Sequence, residues 1–524
     1  MATASAPHRF FLPAGLQDFC VLIGMITLLS FQMNNFADDP GVGWHLKTGE
    51  RVATLSQIPT VDPFLHSATA RPWFSDQWFS DLLIYKFFSS GGWPLVYAML
   101  AAVYLFTFFG VLYRGVSRIT GSYLASSAAV FVAFKAAELH FILRPVLLGF
   151  FFFACVYITL YSAVKELGEG RPNGVGRYYF HVVLPLLFVV WTNVHPSFIL
   201  GLLLMAILIV SLILDRVLLG EKLCLALVRR LLVIFVACFA ATCLNPYGID
   251  LHRSIFELSQ SSYFMSLHME WMSPDFKLPE GEFFLIIAGT IFTSLFLGGT
   301  SKLRWHCFEF LLVAVFGYLA LRSVRVLPFF GIAAAVPLVY AIVNFKNCVF
   351  FARLRASGRL PQMLSNIELR ERRSGRGLFI LTCILLALLF DALLRGQVLL
   401  FSGEFGPTQA RFPYGNVAYL NTQSEGRHIV VAATPDWGGF ITYAGRANIQ
   451  PIIDDRNSLL GEAFYKEFYD KMRVGPQLIP YLRSLGATHL LISKGSAIVP
   501  WLKDNGLMTA QHEDSVSVLY QVPR

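Results

Sequence analysis

Residues 22–50 read LIGMITLLSFQMNNFADDPGVGWHLKTGE, and this stretch decides the fold class. Its first part completes an apolar run that begins near Gln17, and two carboxylates, Asp38 and Asp39, follow directly. About 20 apolar residues in a helix cross the hydrocarbon core of a bilayer. No small-residue cleavage site follows the run, because residues 34–37 (NNFA) lead straight into Asp38. We therefore expect a retained membrane anchor and not a signal peptide.

The composition of the whole chain agrees with a membrane protein. Of its 524 residues, 55% are hydrophobic and only 14% are charged, whereas about a quarter are charged in soluble domains. This excludes a disordered protein and a chain made only of soluble domains. Apolar runs predict about eleven spans. They are approximately Gln17–Met33, Trp93–Leu112, Ser122–Ala137, Val146–Ala163, Phe180–Trp191, Phe198–Leu214, Leu231–Leu244, Phe283–Leu297, Cys307–Leu321, Pro328–Val343 and Leu378–Leu394.

The distribution of basic residues predicts the orientation. Cytoplasmic loops of membrane proteins carry an excess of Lys and Arg. With the N-terminus inside, every second loop is basic, above all residues 345–376, while the segments 34–92, 245–282 and 395–524 lie outside. The net charge of +9 then reflects topology. We expect no nucleic acid among the partners.

The tail has ordinary soluble composition. Strands are predicted at His428–Ala433, Gln450–Asp454, His489–Ser493 and Ser515–Val522, and helices at Gly461–Arg473, Gly475–Leu485 and Ser496–Asp504. This alternation predicts a small α/β domain on the outer face. The expected fold class is therefore mainly α and polytopic transmembrane, over residues 1–399, with a first outer loop at 34–92 and a basic cytoplasmic loop at 345–376. A soluble α/β domain at 400–524 follows.

Arginines stand next to apolar spans on the outer side, where arginine is under-represented. Ionisable groups at membrane depth are costly, so their placement is informative. One interpretation is an anion clamp for a lipid phosphate, since the planar guanidinium suits phosphate. The other is ion pairing with Glu138, Glu270 or Asp275, or snorkelling to lipid phosphate. The candidates for lipid-phosphate binding are Arg144, His195, Arg322 and Arg325.

The first outer loop is rich in Trp and Asp. Tryptophan faces stack on apolar sugar faces and carboxylates accept hydrogen bonds from hydroxyls, so the loop resembles a sugar-facing surface. Its candidate substrate-binding residues are Trp44, His45, Asp76 and Trp78. Tryptophans of a membrane-interface belt are the alternative for Trp73 and Trp78.

A carboxylate beside the bilayer can serve as general base on a hydroxyl. Asp39 is the first choice, because it follows the first span and is held by Pro40, and Asp38 is the second. In the tail, residues 436–439 (DWGG) and 454–457 (DDRN) are either turns at strand ends or binding elements. The chain contains no P-loop, HExxH, CxxC or GxSxG pattern, so ATP-driven transport and zinc proteolysis have no support.

Taken together, these motifs resemble a broad group of bacterial membrane proteins with a GT-C glycosyltransferase-like architecture, to which protein mannosyltransferases also belong. The stretches that carry the resemblance are Asp39–Glu50, Ile58-Pro59, Asp62–Phe64, Arg71–Trp73, Gln77–Leu83, Leu143–Pro145, Trp191–His195, Leu244–Gly248, Glu270–Phe276, Leu321–Arg325, Asp436–Gly439 and Ile453–Asn457. They run through nearly the whole chain in order.

The resemblance implies a transferase of the bacterial inner (cytoplasmic) membrane, with the N-terminus cytoplasmic and the C-terminal domain periplasmic. It would move a sugar from a polyprenyl-phosphate carrier to a protein or glycan acceptor on the outer face. Asp39 takes the place of the acidic residue that serves there as base or acceptor-orienting group. Many relatives carry a second acid two positions later, where this chain has Gly41. That departure weakens a two-carboxylate or metal-bridged mechanism.

Three functions stay open at this point. The first is an inverting glycosyltransferase, whose partners are a polyprenyl-phosphate-linked sugar, membrane lipids and the acceptor. The second is a non-catalytic scaffold or partner subunit with a degenerate GT-C fold, which is supported by the missing acid at Gly41. The third is a lipid or polysaccharide transporter. It is the weakest, because a transporter needs polar residues through the bilayer and the span interiors here are nearly uncharged. No cofactor is assigned, and a divalent cation stays open as one.

Overall fold

A computed structural model describes residues 15–67, 71–168, 179–220, 225–267, 269–297, 306–347, 359–373 and 379–524. Helices dominate this part of the chain, and each predicted apolar run lies mainly on one or two helical elements. Leu378, where the last run begins, lies outside the described residues. The helices before the tail are α1 Leu16–Thr27, α2 Val42–Leu55, α3 Trp78–Leu105, α4 Tyr113–Thr120, α5 Tyr123–Ala137, α6 Val146–Gly168, α7 Leu184–Thr192, α8 Phe198–Leu218, α9 Leu225–Thr242, α10 Asp250–Gln260, α11 Ser262–Leu267, α12 Pro279–Leu297, α13 Cys307–Arg322, α14 Leu327–Ala333, α15 Ala335–Asn347, α16 Arg359–Arg373 and α17 Phe379–Arg395.

Several of these helices are long and apolar enough to cross a membrane. Among the described residues four stretches qualify, namely Trp78–Thr120, Val146–Ala163, Phe198–Leu218 and Leu225–Thr242. A fifth forms if Val324–Ala333 and Ala335–Phe345, which meet at 58°, make one span. Other predicted spans lie on shorter helices such as α1, α5 and α13. The protein is thus a helical membrane protein, and the number of eleven spans stays a prediction.

Helix α16 lies in the basic connector and fixes which helix ends share one side. The Glu368 carboxylate accepts the backbone N–H groups of Tyr123 and Leu124 at 2.8 and 2.9 Å, and Glu371 accepts that of Leu16 at 3.0 Å. Carboxylates satisfy the free N–H groups at helix N-termini and complement the helix dipole. The N-termini of α1 and α5 therefore lie beside the connector, as the predicted topology requires. We call the opposite side, which carries Asp39 and the tail, the outer side.

The first outer loop contains a helix, α2, that the sequence analysis did not predict. Two glycines let neighbouring elements approach it closely. A Cβ on Gly43 would lie 1.9 Å from the carbonyl oxygen of Gly439, and one on Gly49 would lie 2.0 Å from that of Asp81. Such distances leave no room for any side chain, so α2 crosses both the tail and α3 at backbone contact.

The tail forms a five-stranded mixed sheet in the order β2-β1-β3-β5-β4. Its elements are α18 Tyr414–Gln423, β1 Ile429–Ala432, α19 Pro435–Ala444, β2 Ile449–Pro451, α20 Asn457–Lys471, α21 Leu478–Ser484, β3 His489–Ser493, α22 Ile498–Asp504, β4 Ala510–Glu513 and β5 Ser517–Gln521. Strand β1 is parallel to β2 and β3, whereas β5 is antiparallel to β3 and β4. The predicted strands and helices are confirmed; α18, α19 and β4 were missed.

Hydrogen bonds join the tail to the first outer loop. The backbone N–H of His66 donates to the Pro451 oxygen at 3.0 Å, and Arg71 Nη1 donates to the Leu460 oxygen at 3.0 Å. The expected division at residues 399 and 400 follows the end of α17 closely, and it stays a prediction. What the contacts establish is that the sheet is anchored to the segment just after the first span.

Candidate active site

Asp39 lies on the outer side, between the first span and α2. Its side chain is only 2% exposed. Arg144 Nε lies 2.6 Å from Oδ2, and the backbone N–H of Gly41 donates to Oδ1 at 2.9 Å. A buried charge needs such partners because its transfer from water is costly. Both oxygens of the Asp39 carboxylate are therefore engaged.

Glu270 joins two of the predicted arginines. Arg144 Nη1 donates to both Glu270 carboxylate oxygens at 2.6 Å, and Arg325 Nη1 lies 3.6 Å from Oε1. Burial acts to raise the pKa of Glu270, but the charges of Arg325 and Arg144 outweigh it and hold the pKa well below its usual range. The ion pair that the sequence left open for Arg144 thus forms, and Asp39, Arg144, Glu270 and Arg325 make one chain of charges.

His195 lies in the turn between α7 and α8 and is buried. Its Nδ1 accepts the backbone N–H of Ser197 at 3.1 Å. Burial lowers the pKa of the imidazole well below its usual value, and the nearby charges of Arg325, His45 and Arg144 lower it further. The ring is therefore neutral at pH 7, and since Nδ1 accepts, Nε2 carries the proton. His195 can donate one hydrogen bond but adds no positive charge.

Arg322 lies apart from this chain of charges. It lines an outer cleft of about 630 Å³ together with Trp271, Met272, Met265, Gln260 and the serines 259, 262, 266 and 273. The side chain is exposed, and the structure gives it no ion pair with any described residue. Arg325 also contacts Trp271, since its guanidinium carbon lies 4.9 Å from the centroid of the Trp271 ring. Trp271 therefore touches both the cleft and the Asp39 cluster.

Asp455 is a carboxylate of the site that the sequence analysis did not single out. Trp44 Nε1 donates to its Oδ1 at 2.8 Å. A Cβ on Gly41 would lie 3.2 Å from Asp455 Oδ2 and 3.0 Å from Asp39 Oδ1. Both carboxylates thus lie beside the same point, and a larger residue at 41 would crowd both of them.

Arg456 fixes the neighbouring backbone. Its Nη1 lies 2.7 Å from Asp62 Oδ1, and its Nε donates to Asp454 Oδ2 at 2.8 Å. The guanidinium carbon also stands 4.6 Å from the centroid of the Trp73 ring, a cation–π distance. All three charged side chains are buried. Residues 454–457 are thus an anchor between the tail and the first outer loop.

Solved structures with the same architecture include those of two proteins. The oligosaccharyltransferase AglB of Archaeoglobus fulgidus, in complex with an inhibitory peptide and a dolichol-phosphate, aligns with a TM-score of 0.60 over 91% of this chain and 69% of its own, at 12% identity. ArnT of Cupriavidus metallidurans, bound to undecaprenyl phosphate, aligns with a TM-score of 0.51 over 96% of this chain and 97% of its own, at 14% identity. Both are GT-C glycosyltransferases. This chain has the GT-C fold.

The GT-C architecture expected from the sequence is therefore confirmed. At these identities the likeness establishes the fold alone. No protein-family model and no curated protein sequence matches the chain.

The polar atoms of the predicted sugar-facing residues are largely engaged inside the protein. Besides the bond from Trp44 to Asp455, His45 Nδ1 lies 2.6 Å from Asp81 Oδ1, and Trp78 Nε1 donates to Asn193 Oδ1 at 2.8 Å. These contacts position the loop. A role for Trp44, His45 and Trp78 in binding sugar stays a prediction.

Asp76 and Asp38, the remaining candidates, differ in what surrounds them. Burial, together with the charge of Asp81, raises the pKa of Asp76 to about 6, although the hydrogen bond with Gln77 opposes the rise. Asp38 accepts both the backbone N–H of Thr408, at 2.8 Å, and its hydroxyl, at 2.9 Å. Asp38 therefore joins the start of the tail to the end of the first span. Its contacts differ from those of Asp39, which binds Arg144.

The donor set does not fit a resident metal ion. Within the described ranges no group of three or more His, Cys, Asp and Glu side chains is placed to hold one. Asp39 and Asp455 alone converge, and the Arg144 guanidinium already neutralises Asp39. We therefore derive no step through a divalent cation.

Proposed function

We propose that this protein is a membrane glycosyltransferase that moves a sugar from a polyprenyl-phosphate-linked donor to an acceptor on the outer face of the membrane. The observation that carries the proposal is the chain of charges formed by the buried Asp39 and the partly buried Arg144, Glu270 and Arg325 at the outer ends of the spans. Charges at this depth are expensive and generally functional. The proposal is supported by the fold, since AglB and ArnT have been solved with dolichol-phosphate and undecaprenyl phosphate.

The donor phosphate would sit between Arg322 and Arg325, against Trp271. Among the described residues, Arg325 makes only a long contact of 3.6 Å to Glu270 besides its ring contact, which leaves most of its N–H groups available to a ligand there. Arg322 is exposed to the cleft. Arg144, in contrast, is held by two carboxylates, which suits a residue that orients Asp39. His195 would donate one neutral hydrogen bond to the phosphate.

The chemistry follows from this placement. The acceptor hydroxyl attacks the anomeric carbon from the face opposite the phosphate, which inverts that carbon, while the carbon–oxygen bond to the phosphate breaks. The polyprenyl phosphate leaves with the bonding electrons, and arginine charges stabilise it. Asp39 orients the attacking hydroxyl or takes its proton. The outer tail would receive the acceptor, either a protein or a glycan.

One observation favours the scaffold alternative. Both oxygens of Asp39 already have protein partners, so neither is free for an acceptor hydroxyl while these contacts last. A protein that kept the fold but lost the reaction would tolerate such an arrangement.

A strain that lacks the protein separates the two functions. A transferase predicts that one glycan or glycoprotein species disappears from the envelope profile and returns with a plasmid copy of the wild-type gene. A profile that is unchanged by the deletion, in cells that otherwise express the protein, would support the scaffold.

Replacing Arg322 and Arg325 with Ala is expected to weaken the binding of undecaprenyl phosphate. A hydrogen bond to a charged group contributes about 1.5–3 kcal/mol, so each loss corresponds to roughly a 10- to 150-fold rise in Kd. Lysine restores little if the contact is bidentate. Binding is measured on protein in lipid nanodiscs. Arg253→Ala is the matched control, since this exposed outer arginine pairs with the exposed Asp250. An unchanged Kd in the folded double variant Arg322→Ala/Arg325→Ala contradicts the donor site.

A further inference from the structure

Asp39 and Asp455 differ in how much of each carboxylate is free. Arg144 and the Gly41 N–H engage the two oxygens of Asp39. Trp44 engages only Oδ1 of Asp455, and the structure gives Oδ2 no hydrogen bond or ion pair among the residues it describes. Asp455 is also half-buried, whereas Asp39 is almost fully enclosed. The oxygen that remains open to a proton therefore belongs to Asp455.

The open oxygen points to the same place as Asp39. Asp455 Oδ2 and Asp39 Oδ1 lie 3.2 and 3.0 Å from the point where a Cβ on Gly41 would stand. The separation of these oxygens cannot exceed the sum of those two distances. A hydroxyl held by one carboxylate is consequently within reach of the other. Glycine at 41 keeps this space clear, because any side chain there would enter it.

We infer that Asp455, supplied by the tail, is the residue that takes the acceptor's proton, while Asp39 with Arg144 orients the acceptor. This inference rests on the proposed transferase function. In the step, the acceptor oxygen bonds to the anomeric carbon as the bond from that carbon to the phosphate oxygen breaks. The polyprenyl phosphate keeps the electron pair, and the hydroxyl proton passes to Asp455 Oδ2. No other reactant is needed.

The electrostatics of Asp455 suit a base. Burial, aided by the charges of Asp39 and Asp454, raises the pKa of the Asp455 carboxyl above its usual value. The charge of Arg144 and the hydrogen bond from Trp44 lower it. A general base is most effective when its pKa lies near the working pH.

The position of Asp455 is also fixed well. Its neighbour Arg456 forms buried ion pairs with Asp454 and with Asp62 of the first outer loop. Trp44 of α2 holds the carboxylate from the other side. Supporting contacts of this kind are what keep a reacting group in a productive geometry. The tail is then part of the active site, in addition to any role in receiving the acceptor.

Asp455→Asn tests the inference in nanodiscs, with a radiolabelled polyprenyl-phosphate sugar fraction and an acceptor fraction from the source organism. We expect transfer to fall about 10²–10⁴-fold, with the acid limb of kcat/KM lost and undecaprenyl phosphate binding unchanged. Asp455→Glu should recover part of the rate. The control is Asp436→Asn, an exposed carboxylate of the same tail, which should leave transfer unchanged.

The pH profile distinguishes the two carboxylates. Asp39→Asn removes a negative charge that raises the pKa of Asp455, so the residual activity should keep an acid limb displaced to lower pH. Trp44→Phe removes a hydrogen bond that lowers the pKa of Asp455, so the acid limb of this variant's pH profile should move to higher pH. A wild-type rate in Asp455→Asn, or an acid limb that only Asp39→Asn abolishes, overturns the inference alone. A wild type that transfers no sugar refutes the proposed function and this inference with it.

Discussion

Asp39→Asn is expected to lower turnover by about 10²–10⁴-fold while undecaprenyl phosphate binding and expression stay near those of the wild type. Asparagine has the shape of aspartate and can still accept the Gly41 N–H, but it carries no charge and cannot take a proton. Loss of a base costs about 10²–10⁴-fold, and misplacing a reacting group by about 1 Å costs about 10²-fold. Either role of Asp39 therefore predicts a large effect. The measurement is single-turnover transfer in nanodiscs.

Asp38→Asn is the matched control for that experiment. Asp38 is equally buried but binds Thr408 and not the charge cluster, so its loss should weaken the seating of the tail and cost much less in turnover. If the two effects are reversed, Asp38 is the functional neighbour. Full activity of the double variant Asp38→Asn/Asp39→Asn would refute any mechanism based on first-loop carboxylates.

The helices were predictable from the sequence because a membrane span is a local property. An apolar run such as Phe198–Leu214 needs no distant partner to be recognised, and it lies on α8. The tail strands were predictable for a similar reason, since short apolar runs such as residues 489–493 (HLLIS) alternate with helical segments. Helix boundaries in the tail also agree within a few residues.

Helices α2 and α19 were missed because their glycines indicate turns when read locally. The contact between these two helices requires glycine at both 43 and 439. A Cβ on Gly43 would collide with the carbonyl oxygen of Gly439, and a Cβ on Gly439 would collide with that of Pro40. Tertiary packing here outweighs the low helix propensity of glycine. The DWGG motif is accordingly a packing element at the start of α19, and a binding role for it stays a prediction.

The candidate site was predictable only in part. Asp39, Arg144 and Arg325 stood out because each is charged beside an apolar span, and the structure brings them together through Glu270. Asp455 did not stand out, because its partner Trp44 lies 411 residues away in the chain. No pattern in a single sequence reports such a contact. The DDRN motif was the available signal, and its neighbouring charges concealed which carboxylate stays free.

The same reasoning gives Arg456 the largest expected effect on stability. Arg456 is the only positive charge that the structure's described contacts place between Asp62 and Asp454, and all three groups are buried. Removing one member of a buried ion pair leaves uncompensated charge and costs about 3–5 kcal/mol. The ring contact with Trp73 is lost as well. Arg456→Ala should therefore loosen the tail from the first outer loop and lower the free energy of unfolding by that amount.

The effect of pH identifies the cause of that loss. Burial raises the pKa of Asp62, while Arg456 opposes the rise, so the pKa in Arg456→Ala should be higher still. A carboxyl with a raised pKa in the folded state binds more protons there than in the unfolded chain, and stability then increases as the pH falls. The deficit of Arg456→Ala should accordingly narrow toward acid pH.

Thermal unfolding and limited proteolysis in nanodiscs measure it, with Arg446→Ala as control. Arg446 belongs to the same tail but pairs at 3.5 Å with an exposed Glu425, a kind of contact that contributes about 0–1 kcal/mol. Equal effects of the two substitutions would mean that the buried ion pairs do not hold the tail in place.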